Sequence, residues 1–60
     1  MTPQDGLSLT VVLAGKPHKV TFNAAIGQFW PDPDNDLTGH AISALNGLAW
    51  DEFRRMNDND

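Results

Sequence analysis

Leu7-Ser8-Leu9-Thr10-Val11-Val12-Leu13-Ala14 alternates in side-chain character, and that alternation decides the fold class. Leu7, Leu9, Val11 and Leu13 fall on one side of an extended chain; Ser8, Thr10, Val12 and Ala14 fall on the other. A period of two with β-branched residues in between is the pattern of a strand with one buried face. Residues 19–24 repeat it, with Val20, Phe22 and Ala24 inward and Lys19, Thr21 and Asn23 outward. Between the two runs, Gly15, Lys16, Pro17 and His18 have the composition of a hairpin loop. Pairing the strands puts both apolar sides together.

Residues 25–36 read as a connector. Pro31 and Pro33 each disfavour helix at the preceding residue, so a regular helix is not expected here. Ile26, Phe29 and Trp30 are too apolar for a solvated linker, and are expected to fold back over the hairpin or the helix.

A helix is predicted over residues 37–56. Asp36 or Thr38 can cap its start, and Asp32, Asp34 and Asp36 lie towards the positive end of its dipole. At 100° per residue, Leu37, Ala41, Ile42, Leu45, Leu48, Ala49, Phe53 and Met56 form one broad apolar stripe. Arg54 and Arg55 suit the C-terminal end. Asn46-Gly47 is a helix-stop signal inside this span, so two short helices broken near Gly47 are the alternative. The expected architecture is therefore α+β: an antiparallel β-hairpin followed by one C-terminal helix, with residues 1–6 and 57–60 frayed.

With 60 residues beginning at Met1, the chain reads as one complete domain. A domain of this size buries only about 60% of the surface its unfolded chain exposes, so its core is small. The chain has no cysteine, which removes disulfides and thiolate metal sites as reinforcement. Self-association or a larger partner is the remaining source. No basic residue precedes an apolar run near Met1, and the longest apolar run is residues 11–14. Neither a signal peptide nor a membrane helix is expected, and the expected location is cytoplasmic.

Charge divides the chain. Residues 1–30 hold Asp5 against Lys16 and Lys19, a net of +1. Residues 31–60 hold Asp32, Asp34, Asp36, Asp51, Glu52, Asp58 and Asp60 against Arg54 and Arg55, a net of −5. An acidic half repels phosphate, so direct binding of nucleic acid is not expected. A basic surface on a partner protein suits it better, with steering raising the on-rate. The plainer reading is that the acids only keep a small protein soluble.

Chemistry is sparse. Asp32, Asp34 and Asp36 match the first three ligand positions of a calcium loop, but its glycine position holds Leu37 and its glutamate position Ser43. His18 and His40 have no second histidine at helical spacing, so no zinc site is expected. There is no nucleophile elbow and no phosphate loop, and adjacent Asp51 and Glu52 diverge on a helix. No catalytic residue, cofactor or metal is expected.

Opposite the apolar stripe, Gly39, Ser43, Gly47, Trp50 and Arg54 line up as a shallow groove ending in an aromatic and an arginine. Both types are enriched at binding hot spots. Trp50 is either an exposed anchor or a core residue packed on Phe29 and Trp30. The expected partner-binding set is Asp32, Asp34, Asp36, Trp30, Trp50, Asp51 and Arg54.

Three functional readings follow. The first is a small acidic protein-binding module that inhibits or modulates a basic, nucleic-acid-handling partner. In composition it resembles accessory proteins of phages and mobile elements. The second is a structural homo-oligomer or a subunit of a larger assembly. The third is a small transcription regulator or antitoxin-type protein, against which Asp51 and Glu52 stand where a recognition helix wants basic and amide residues.

Overall fold

The first hairpin turns on Ala14 and Gly15. In the computed structural model, which describes residues 2–32 and 36–58, β1 (Ser8–Leu13) pairs antiparallel with β2 (Lys16–Asn23). Leu13 lies opposite Lys16, so only Ala14 and Gly15 remain as the loop, with φ of 53° and 79°. Two consecutive positive φ values make a turn whose twist matches that of the strands it joins. The loop is therefore shorter than expected and lies earlier, and Pro17 and His18 belong to β2. Proline is tolerated there for a geometric reason. Its nitrogen faces away from β1, on the side of β2 where the third strand does not reach, so no ladder bond is lost.

Gln4-Asp5-Gly6-Leu7 forms a second turn, in which the Leu7 N–H donates to the Gln4 carbonyl at 3.0 Å. Gly6, at φ 88°, then sits beside Leu7 opposite the single residue Phe22. The Gly6 N–H donates to the Phe22 carbonyl at 2.9 Å, and the Phe22 N–H donates to the Leu7 carbonyl at 2.8 Å. This is a glycine bulge, and a left-handed φ at its first position is why glycine stands there.

Residues 28–31, expected to be irregular, are a strand. β3 (Gln28–Pro31) pairs antiparallel with β2, giving a three-stranded sheet in the order β1-β2-β3. Period two holds along it: Phe29 and Pro31 are buried, Gln28 and Trp30 exposed. The Asn23 side chain supports the connecting loop, its Oδ1 accepting from the Ala25 N–H at 3.0 Å. Proline did not exclude a strand because it occupies the last position of an edge strand, where its missing N–H would have faced outward.

A single helix α1 (Gly39–Asp58) follows. Thr38 caps it: its Oγ1 accepts from the Ala41 N–H at 3.2 Å and its carbonyl from the Ile42 N–H at 3.0 Å. A cap of this kind is worth about 1 kcal/mol. Asp36 lies two residues upstream of that cap. The helix runs unbroken through Asn46 and Gly47, so the two-helix alternative does not hold.

α1 packs on one face of the sheet and touches all three strands. The core is Leu9, Val11, Val20, Phe22 and Phe29 from the sheet with Leu45, Ala49 and Phe53 from the helix. The buried helical stripe is rotated by roughly 40° from the expected one, at 100° per residue. Leu48 and Met56, expected inside, are exposed, while Asn46 and Trp50 turn towards the sheet. Trp50 supplies much of the reason. Its ring meets Phe22, Phe29 and Phe53 edge-on, at centroid distances of 5.7, 5.4 and 6.1 Å. Each such pair adds about 0.5–1.5 kcal/mol beyond area burial.

Candidate functional site: the open face of the sheet

The sheet has one covered face. The other carries Ser8, Thr10 and Val12 from β1, Lys19, Thr21 and Asn23 from β2, and Gln28 and Trp30 from β3. Register places Ser8, Thr21 and Trp30 in one row across it. The Ser8 and Thr21 hydroxyls are hydrogen-bonded at 3.2 Å, which leaves Trp30 as the large apolar group of that row, 38% exposed.

A recess of about 610 Å³ opens at this end of the face. Asp5 and Gly6 form one wall, Thr21 and Asn23 the floor, and Trp30 and Asp32 the far wall. Each position has a local cause. The glycine bulge swings the chain so that Asp5 lies over β2, where its Oδ1 accepts from the Ala24 N–H at 3.0 Å. Asp32 is held by its own N–H, which donates to the Lys19 carbonyl at 2.9 Å and extends the β2–β3 ladder by one residue. The walls carry two carboxylates, and among the described residues no basic residue lines the recess. Lys19 is the cross-strand neighbour of Asp32 on the same face, just outside that lining. A shallow aromatic surface between carboxylates can accept a cationic side chain: the ring offers its electron-rich face, the carboxylates offer acceptors.

The residues singled out from sequence separate into distinct regions. Trp30 and Asp32 come together in the recess, and Asp36 is exposed between β3 and the helix. Asp34 lies outside the described residues. Trp50 is half-buried in the aromatic core, the second of its two expected settings, although its ring neighbours are Phe22, Phe29 and Phe53 rather than Trp30. Arg54 donates to Asp51 one turn earlier on the helix, both of them exposed. Asp51 belongs to a different groove, against Thr10, Val12 and Leu48. Asp5 was not expected at the site. Only the bulge at Gly6 brings it there, and a glycine six residues into the chain was the one signal available.

His18 is half-buried in β2 and His40 is exposed in the first turn of α1. Among the described residues, no three side chains of metal-ligating type are grouped, and no helix is long and apolar enough to cross a membrane. No family model matches the chain, and neither a curated protein nor a solved structure shows significant similarity to it.

Proposed function

We propose that the protein is a small acidic binding module that takes a lysine- or arginine-bearing segment of a partner protein on the open face of its sheet. The partner fitting this chemistry is a nucleic-acid-handling protein, whose phosphate-binding surface is basic, and occupying that surface would inhibit or modulate it. One observation carries the reading: Trp30 stands in a recess whose walls are Asp5 and Asp32 and whose lining, among the described residues, holds no cation. A net charge of −4 adds long-range attraction for a basic partner.

The test uses a hexa-arginine peptide as probe, followed by NMR on the full chain. The Trp30 indole N–H is expected to shift on titration, with affinity falling as salt is raised. Asp5→Asn/Asp32→Asn should weaken binding about tenfold or more while leaving the spectrum of the core intact, since both carboxylates are exposed. An unmoved Trp30 signal, or equal affinity in the folded double variant, overturns the proposal.

A further inference from the structure

β1 is one edge of the sheet, and its outward groups can be assigned from the ladder. The Phe22 N–H donates to the Leu7 carbonyl, so residues 7, 9, 11 and 13 direct their backbone groups to β2. Ser8, Thr10 and Val12 therefore direct theirs outward, each presenting a donor and an acceptor to solvent. The strand carries no charge, no proline and no internal bulge, the usual devices that stop an edge from pairing. Val12 is 61% exposed on it.

We infer that this edge is a homodimer seam, in which β1 pairs antiparallel with β1 of a second copy about a twofold axis at Thr10. The inference is independent of the acidic recess. Three observations select a second copy as the occupant. The first is register: a twofold at Thr10 sets Thr10 against itself and Ser8 against Val12, so every outward donor meets an outward acceptor. The axis is perpendicular to the sheet, so both helices lie on the same face of one six-stranded sheet.

The second observation is charge. β1 is neutral, and on the helix surface beside it each acid has a basic partner, Asp51 with Arg54 and Glu52 with Arg55 at 3.2 Å, with Leu48 alongside. The twofold turns Leu48 towards its equivalent and lets Glu52 and Arg55 face the mate's pair. Asp5 and Asp32 lie at the recess, away from this groove, so two negatively charged chains can approach here.

The third is closure. The opposite edge, β3, offers no donor: the Phe29 N–H is taken by Asn46 Oδ1 at 2.8 Å, and Pro31 has no N–H. With one edge open, association stops at two copies and builds no filament.

Sedimentation equilibrium of the full chain tests this, with Thr10→Pro and Thr10→Lys as variants. The Thr10 N–H is not used in the β1–β2 ladder, so proline there removes only an outward donor. Lysine would place two like charges face to face across the axis. The wild type should dimerise, and each folded variant should raise the dimer dissociation constant about 100-fold, roughly two decades on the affinity scale. Hydrogen exchange on the wild type supplies a readout that needs no variant. The amides of Ser8, Thr10 and Val12 should slow as protein concentration rises. A wild-type monomer up to about 1 mM, which would mean an affinity weaker than about −4 kcal/mol, overturns the inference. So does a dimer that survives in a folded Thr10 variant, or one whose Ser8, Thr10 and Val12 amides exchange at the same rate at all concentrations.

Discussion

The two edges of this sheet are finished in opposite ways. At β3 the outward N–H groups are dealt with one by one: Phe29 donates to Asn46 of the helix, and Pro31 has none to offer. At β1 the outward groups of Ser8, Thr10 and Val12 face solvent along a neutral strand. Unprotected edges invite pairing, and natural sheets usually carry some device against it. Here one edge carries two such devices and the other none. The asymmetry shows that edge protection was available to this fold and is used on one side only.

Three substitutions probe how that difference is maintained. The largest effect is expected at β3 itself. Phe29 is fully buried between Phe22 and Trp50, so Phe29→Ala should cost about 3–5 kcal/mol. A core of this size supplies roughly that much in total, so the cooperative thermal transition should disappear in circular dichroism. A variant that still melts cooperatively near the wild-type midpoint would mean that β3 is not needed to hold the sheet.

Asn46→Ala sharpens the comparison more directly. It leaves the half-buried Phe29 N–H without its acceptor, at a cost of about 1–3 kcal/mol in a urea titration. It also opens the second edge, so association beyond the dimer should appear in sedimentation at high concentration. A stability unchanged within error would show that the amide contributes nothing to closing β3.

The smallest effect concerns the hairpin that presents the open edge. Ala14 holds φ at 53°, a conformation that costs a residue with a Cβ about 1 kcal/mol. Ala14→Gly should recover part of that cost and raise the melting midpoint by a few degrees. A lower midpoint would mean that the added chain entropy of glycine outweighs the relieved strain.

Much of the fold was legible in sequence because its signals are local. The alternation in residues 7–14 and 19–24 marked the paired strands, and the apolar spacing with Asp36 or Thr38 at its start marked the helix. The misreadings share a cause. Gly15 and Pro17 both favour loops, yet only Gly15 belongs to the turn, because the strand twist selects a two-residue loop. In residues 28–31, Phe29 and Trp30 are both expected to fold back as cover, whereas the pleat sends them to opposite faces. Leu48 and Met56 fit a helical stripe as well as Asn46 and Trp50 do by spacing. The aromatic pocket of Phe22 and Phe29 decided which of them turned inward. Of the candidate site, Trp30 and Asp32 were legible as types; the partnership with Asp5 was not, since it depends on the bulge at Gly6.

By itself, the sequence determined the antiparallel hairpin, a helical C-terminal segment, the acidic bias of the second half and the absence of disulfides. Periodicity and composition act through neighbours a few residues apart, and they survive without knowledge of the rest of the chain. Only the tertiary structure decided that a third strand joins the sheet, that the helix runs unbroken, and that one edge is closed while the other is open. Each depends on a meeting between residues far apart in the chain: Asn46 with Phe29, Trp50 with Phe22, Asp5 with Ala24. Such meetings are set by packing and hydrogen-bond geometry, which no local pattern encodes.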